Sequence, residues 1–110
     1  MKINILDIEG EVVKQDDRYT VKDNKSLKNL VVSSTRLKAG CKTNGHSHTG
    51  QEEVYFFMSG NGQIKIDDVI YPVGPDSIIL IPDGAFHQVI NTQFGSDLYF
   101  VCVFDGKRYG

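Results

Sequence analysis

Residues 40–60 read GCKTNGHSHTGQEEVYFFMSG and place two histidines and a glutamate directly ahead of an apolar run. His46 and His48 stand two positions apart, so in an extended segment their side chains point to the same side, about 6–7 Å apart. Both imidazoles could then reach one metal ion. Glu53 opens the apolar run, and if its carboxylate points inward, Tyr55 points inward as well. A carboxylate in such a place needs solvent, a hydrogen-bonding partner or a cation.

The third histidine of the sequence, His87, lies in the stretch PDGAFHQVIN at residues 82–91. Pro82 and Gly84 predict a turn that leads into another apolar strand. We therefore expect His87 to enter the same interior as Glu53 from a separate strand. The same side chains would also suit a hydrogen-bonded polar network that holds no metal.

The two stretches share a pattern of spacing with a known family. The pattern is Gly40-x5-His46-x-His48-x4-Glu53-x6-Gly60 followed by Pro82-x-Gly84-x2-His87-x3-Asn91, and it resembles the two sequence motifs of the cupin superfamily, here a small protein with one cupin domain. The resemblance implies an all-β fold, a jelly-roll β-barrel of the cupin type. It also implies one metal ion held by the residues that match the motif ligands, His46, His48, Glu53 and His87.

One position departs from this pattern, because Asp76 stands where the second motif usually begins with glycine. Asp adopts left-handed backbone more readily than most residues do. We therefore expect the turn at Asp76 to survive.

Short apolar or alternating runs between turn-forming residues predict strands throughout residues 30–104. We predict strands at Ile3–Ile8, Leu30–Leu37, His46–His48, Val54–Met58, Gln63–Ile66, Val69–Val73, Ile78–Ile81, Phe86–Ile90 and Leu98–Phe104. Residues 14–29 are polar and highly charged, which indicates an exposed connection or a short edge strand. A single domain over residues 1–110 follows, with the barrel at about 30–104 and an N-terminal strand and polar connection at 1–29.

Composition narrows the range of partners. The chain has 110 residues, and 12 Lys and Arg against 14 Asp and Glu give a formal charge of −2 with no basic block, so nucleic acid is not expected as a partner. No apolar run reaches the roughly 18 residues that a membrane span needs, and the first residues do not resemble a signal peptide. We expect a cytoplasmic protein that contacts no membrane, with Cys41 and Cys102 as free thiols.

The strands at Val54–Met58 and Leu98–Phe104 are apolar on both faces, so one of the faces needs cover. A second copy of the chain would provide that cover, which predicts a homodimer. The alternative is that the N-terminal segment folds over this face within one chain.

Three imidazoles and one carboxylate would leave two open positions on a six-coordinate divalent ion. These ligands admit Fe, Mn, Ni or Zn as the cofactor. An open site of this kind favours a small chelating substrate. We expect a sugar or a carboxylate such as a sugar-derived acid, isomerised with Lewis-acid assistance. The candidate bases are Glu53, Tyr55, Tyr71 and a hydroxide on the metal.

Two other functions stay open at this stage. One is a metal-dependent dioxygenase, in which Phe57, Phe86 and Phe100 would form an apolar wall that excludes water. The other is a non-catalytic module that binds or senses a small molecule. An anionic ligand would need inward-facing cations, and Arg36, Lys38 and Lys42 share one side of a strand, where they either face the cavity or form a solvated surface.

Overall fold

The structure, a computed structural model, describes residues 1–106, and these form nine β-strands and no helix. The strands are β1 (Glu11–Gln15), β2 (Tyr19–Asn24), β3 (Leu30–Leu37), β4 (Glu53–Ser59), β5 (Gly62–Ile66), β6 (Val69–Val73), β7 (Ile78–Ile81), β8 (His87–Ile90) and β9 (Leu98–Asp105). The predicted all-β class is confirmed. Without a helix, the described part of the chain offers no helical membrane span.

The strands form two antiparallel sheets that pack face to face as a jelly roll, as predicted. The larger sheet has the order β1-β2-β3-β9-β4-β7, and the smaller sheet has the order β6-β5-β8. In the larger sheet β9 lies between β3 and β4, so strands distant in sequence become neighbours. The packing of the two sheets brings Glu53 of β4 and His87 of β8 to the same interior.

The hydrophobic core fills one end of the space between the sheets. Leu37, Phe57 and Leu98 of the larger sheet meet Ile64 and Val89 of the smaller sheet, and each of the five is at most 1 % exposed. Their burial accounts for much of the hydrophobic stabilisation of the fold.

The strand registers place polar residues at the other end. Leu37 pairs with Leu98 at the closed end, whereas Glu53 pairs with Phe104 three inward-facing rows away. The site therefore lies at the open end of the barrel.

The strand predicted at His46–His48 is wrong. The segment at 41–46 instead runs beside β8. There Thr43 N–H donates to Val89 O at 2.9 Å, and the backbones of His46 and His87 exchange hydrogen bonds. Only isolated bridges form along this segment. This irregular segment thus lies beside β8 at the edge of the smaller sheet.

The N-terminal predictions need correction as well. Residues 3–8 form a turn rather than a strand, because the Asn4 side chain accepts a hydrogen bond from Leu6 N–H and Asp7 N–H donates to Asn4 O. Such local bonds compete with sheet pairing. Residues 14–29, predicted as an exposed connection or a short edge strand, instead contain the whole of β2, which lies inside the sheet between β1 and β3. The edge strand is β1, which begins earlier, at Glu11. The larger sheet therefore begins at residue 11 rather than 30, and residues 107–110 of the predicted domain lie outside the described residues.

Part of the outer apolar face is covered by the chain itself. Ile3 and Ile8 pack against Tyr99 and Val101 of β9, and the Tyr99 hydroxyl donates to Ile5 O at 2.8 Å. For this part of the face, the N-terminal segment provides the cover, as in the alternative prediction, and no second copy of the chain is needed. Farther along the same face, Ile78 and Leu80 of β7 remain 59 % and 69 % exposed, and they lie beside Phe56 and Val54.

The turn at Asp76 survives the loss of the motif glycine. Asp76 takes a left-handed conformation with φ of 74°, and its N–H donates to Phe57 O at 3.0 Å. Asp67, in the turn between β5 and β6, also has a positive φ of 49°. The sequence-based expectation for Asp76 is confirmed.

Candidate metal centre

Three different parts of the fold deliver the central side chains of the site. Glu53 is the first residue of β4 in the larger sheet, and His87 is the first residue of β8 in the smaller sheet. His46 is held beside His87 by two backbone hydrogen bonds, His46 N–H to His87 O at 3.2 Å and His87 N–H to His46 O at 2.9 Å. Glu52 points to solvent, so the predicted inward direction of Glu53 and Tyr55 is confirmed.

The potential ligand atoms of His46, Glu53 and His87 all lie within 4.8 Å of one another. Glu53 and His87 are buried, whereas His46 is exposed at the mouth. His48 lies next to this trio, with its ring centroid 4.4 Å from that of His46 and 6.2 Å from that of His87. The structure thus brings all four predicted ligands to one place, and three of them form the compact group.

The hydrogen bonding of His87 fixes which of its ring nitrogens faces the site. Nδ1 lies 3.2 Å from Ala85 O, and because a carbonyl oxygen only accepts, Nδ1 carries the proton. In the neutral imidazole, Nε2 presents a lone pair 3.2 Å from Glu53 Oε2, and neither atom makes a hydrogen bond of acceptable geometry among the described residues. Two buried acceptors face each other, which is an arrangement that a shared cation would satisfy. The donor set therefore fits a divalent metal ion.

The electrostatic surroundings keep the ligand groups in their coordinating states. Burial works to raise the pKa of Glu53, but His87, the Tyr55 hydroxyl and His46 outweigh it and hold that pKa below its usual value. Burial and the neighbouring His87 and His48 lower the pKa of His46. At neutral pH Glu53 is therefore a carboxylate and His46 a neutral imidazole, the forms that bind metals.

Tyr55 lies beside the trio, with its ring 5.8 Å from that of His87 and stacked on Phe100 at 5.4 Å. Burial and the nearby Cys102 and Glu53 raise the pKa of Tyr55 well above its ordinary value. The phenol therefore keeps its proton at neutral pH. It can donate a hydrogen bond into the site but is a poor base.

A cavity of about 730 Å³ opens onto these residues. This volume lies within the range of small-molecule sites. The trio and His48 line one part of its wall, and β2, β3 and β9 line another. Phe100 contributes to the predicted apolar wall, whereas Phe57 is core and Phe86 lies outside the cavity lining.

Several residues considered from the sequence lie away from this cavity. Tyr71 is 44 % exposed on β6, so it is not a base for this site. Arg36, Lys38 and Lys42 are exposed, and Arg36 instead contacts Asp97 and the ring of Tyr99. The solvated-surface interpretation of these three cations is the correct one.

Sequence analysis missed polar residues on the cavity wall, chiefly Asp23 and Ser33. Their segment carries no recognised motif. Alternation of inward-facing and outward-facing residues could have indicated them, since Val21 and Asp23 share one side of β2. The alternation was obscured by the high charge of residues 14–29.

Comparison with known families agrees with this geometry. The family model of the cupin domain matches residues 34–104, which is more than half of the chain. The chain belongs to the cupin family. No curated protein matches the chain in sequence.

Solved cupin-like structures share the fold at low sequence identity. The polyketide cyclase RemF from Streptomyces resistomycificus is 20 % identical, with a TM-score of 0.80 over 100 % of this chain and 82 % of that one. The TT1209 protein from Thermus thermophilus is 19 % identical, with a TM-score of 0.79 and coverage of 96 % and 97 %. KdgF from a Halomonas species is 13 % identical, with a TM-score of 0.78 and coverage of 91 % and 89 %. At these identities the likeness concerns the fold alone.

Proposed function

We propose that this cupin is a metal-dependent enzyme of the isomerase type that acts on a sugar or a sugar-derived acid. The observation that carries the proposal is the pair of buried acceptors, Glu53 Oε2 and His87 Nε2, facing each other 3.2 Å apart at the wall of a cavity. A cation bound between the two atoms would satisfy both acceptors. His46 supplies the third group within reach.

The proposed ligands are His46, His48, Glu53 and His87, and the proposed cofactor is one divalent ion among Fe, Mn, Ni and Zn. Bound there, such an ion would polarise a carbonyl group and acidify the carbon next to it. The ligand residues come from rigid backbone that hydrogen bonds fix on both sheets. The site is therefore preorganised for a chelating substrate.

Proton handling falls to Glu53 and Tyr55, the two residues proposed as catalytic. Burial raises the pKa of Glu53, but His87, Tyr55 and His46 outweigh it and lower that pKa, which leaves a carboxylate at neutral pH. This carboxylate could accept a proton from the substrate when it is released from the metal. The raised pKa of Tyr55, caused first by burial, leaves a phenol that can donate a hydrogen bond to a developing oxyanion. Aromatic side chains such as Phe100 and Phe104 line the cavity beside them and keep water away.

The first experiment is metal analysis of the purified protein and of the variant His46→Ala/His48→Ala. We expect about one equivalent of a divalent metal in the wild type and none in the variant, because loss of two ligands weakens binding by far more than tenfold. The matched control is Lys42→Ala, an exposed cation just ahead of the same loop. Retention of metal by the double variant would contradict the proposed ligand set.

The second experiment is a screen of sugars and 2-oxo acids with the identified metal restored. We expect turnover that continues without oxygen. Consumption of O2 in proportion to substrate would instead show a dioxygenase. A ligand recovered unchanged after long incubation would show a module that only binds its ligand.

We also propose that the chain forms a homodimer through the uncovered part of the outer face. Ile78 and Leu80 on the edge strand β7 lie beside Val54 and Phe56 of β4, forming a continuous apolar patch. Among the described residues no strand pairs with the outer side of β7, so a second copy could bury both the patch and the edge.

Sedimentation equilibrium at micromolar concentration tests this assembly. We expect a dimer for the wild type, a monomer for Leu80→Lys, and a dimer for the control Phe94→Lys, which changes a fully exposed apolar residue in the loop between β8 and β9. A monomeric wild type would refute the dimer.

We propose a cytoplasmic location as well, supported by the two free thiols. Cys102 is buried and Cys41 is half-buried, and they form no disulfide. Unpaired cysteines are typical of reducing compartments. Cell fractionation with an antibody to the chain would test the location, and a secreted product would contradict it.

A further inference from the structure

The cavity wall formed by β2 and β3 carries a polar pair that the proposed metal centre does not use. Asp23 and Ser33 stand opposite each other in the register of the two strands. Ser33 Oγ–H donates to Asp23 Oδ1 at 2.7 Å. Both residues line the cavity that also contains Glu53, and Ser33 is 3 % exposed. The pair is thus part of the inner wall rather than of the outer surface.

The registers place this pair in one row with Tyr55. Ser33 pairs with Cys102 of β9, and Cys102 pairs with Tyr55 of β4. Three strand spacings separate the backbones of Asp23 and Tyr55, at most about 14 Å in a flat sheet. Curvature and the inward side chains shorten the gap. A ligand several carbons long, held at the metal centre beside Tyr55, therefore reaches the pair.

The pair interrupts mostly apolar surroundings. The neighbouring rows of the same inner face contain Val31, Phe104 and Glu53 on one side and Val21, Thr35 and Phe100 on the other, so four of these six residues are apolar. An aspartate and a serine at this place lose solvation without adding apolar contact, which is a cost to stability. Such a cost is typical of residues kept for binding.

The hydrogen bonding of the pair defines what it would bind. Once Ser33 donates its hydroxyl proton to Asp23, the pair presents mainly acceptor lone pairs to the cavity. Acceptors attract hydroxyl groups and repel carboxylates and phosphates. Lys14 and Lys25, the cations that line this cavity among residues 1–106, each contact an acidic residue, Asp16 or Glu11.

Resting on the proposed function, we propose that Asp23 and Ser33 form a hydroxyl-binding subsite for the polyol end of the ligand. The chelating end of the same ligand lies at His46, Glu53 and His87. The subsite would thus select polyhydroxylated acids or sugars over short chelating acids, and it fixes the direction in which the ligand lies in the cavity.

Calorimetric titration of the Ni(II)-loaded protein tests the subsite with two probes. Gluconate carries an α-hydroxy acid followed by a chain of hydroxyl groups, and lactate carries the same chelating group without the chain. The variants are Ser33→Ala and Asp23→Asn. The control is Ser34→Ala, which changes a buried serine next along β3 whose side chain faces the opposite side. Thermal unfolding of each variant confirms that it is folded.

We expect gluconate to bind the wild type about tenfold more tightly than lactate does. Each subsite variant should weaken gluconate binding by about five- to tenfold, the effect of one or two hydrogen bonds, and leave lactate binding and the control unchanged. Equal gluconate affinity in the wild type and both subsite variants would overturn the subsite alone. Absence of Ni(II) binding, or of binding of both acids, would overturn the proposed function together with the subsite.

Discussion

At the scale of single residues, the contact between Glu53 and His87 is the centre of the candidate site. Their facing acceptors, Oε2 and Nε2, are buried and lie 3.2 Å apart, and the Ala85 carbonyl holds the proton of His87 on the opposite ring nitrogen. Without a cation or a proton between the two atoms this contact is unfavourable. We therefore expect the protein to be more stable with a divalent ion at this site than without one.

Glu53→Gln tests this interpretation. The new amide can donate to His87 Nε2, so we expect the metal-free variant to be more stable than the metal-free wild type by about 1 kcal/mol. Metal affinity should fall by at least about tenfold, because a charged ligand is lost. Thermal unfolding and competition with a chelator measure the two effects. The control is Glu52→Gln, on the exposed side of the chain, and equal metal affinity in both variants would contradict the role of Glu53.

Asp76 offers a second test at the residue scale. Its φ of 74° costs an ordinary side chain about 1–2 kcal/mol. We expect Asp76→Ala to destabilise the protein by about 1 kcal/mol and Asp76→Gly to leave the stability equal or higher. Chemical denaturation measures both. Asp68→Ala, in a turn position without positive φ, is the control, and a loss in Asp76→Gly equal to that in Asp76→Ala would contradict the argument.

The four proposed ligands could be found from the sequence because each keeps its residue type at its motif spacing. The polar pair Asp23 and Ser33 could not, since no local pattern marks it. It depends on β2 pairing with β3, which is a contact between segments that carry different sequence signals. The direction of Nε2 in His87 likewise depends on a backbone carbonyl that only the folded chain supplies.

At the scale of elements, the hairpin of β1 and β2 shows how polar residues can hold strands that lack an apolar pattern. Asp16 Oδ1 accepts hydrogen bonds from the backbone N–H groups of Arg18 and Tyr19, and Oδ2 accepts one from the Arg18 guanidinium. Tyr19 in turn accepts a bond from Asn44 N–H through its hydroxyl. The hairpin therefore also anchors the loop that leads to His46.

Hydrogen bonds from the Arg18 backbone and side chain, together with the Tyr19 N–H, lower the pKa of Asp16 from 3.8 to about 2. A lowered pKa means that its stabilising effect is complete above pH 3.8 and is lost as the pH falls through about 2. We expect Asp16→Asn to be less stable than the wild type at neutral pH, with the difference shrinking between pH 4 and 2. Unfolding midpoints across this range measure it, and the exposed Asp17→Asn is the control. A difference that does not depend on pH would contradict the prediction.

The strands of the second half of the chain were predicted well because apolar alternation and turn residues coincide there. Those of the first quarter were not. β1 is almost wholly exposed, so burial leaves no alternation in its sequence, and Ile3–Ile8 has apolar residues because it packs on the outside of β9 rather than in a sheet. Tertiary contacts, not local propensity, determine these two segments.

At the scale of the whole molecule, the candidate metal centre joins elements that are separate in the fold. We expect a divalent ion at about 100 times its dissociation constant to stabilise the folded chain by about 2.7 kcal/mol. The rise in unfolding midpoint on adding metal, and its reversal by EDTA, measure this effect. His46→Ala/His48→Ala should show no rise, and an equal rise in that variant would place the metal elsewhere.

Glu53 belongs to one sheet and His87 to the other, so an ion bound by both would crosslink the two sheets at the mouth of the barrel. Opposite it, the closed end is sealed by interlocking apolar side chains. β8 pairs with β5 on one side and only through isolated bridges with the stretch at 41–46 on the other. An ion held by His46 and His87 would therefore restrain the weakly paired side of β8. Deuterium uptake along β8 would thus slow on metal addition, while that of the outer hairpin of β1 and β2 would stay the same.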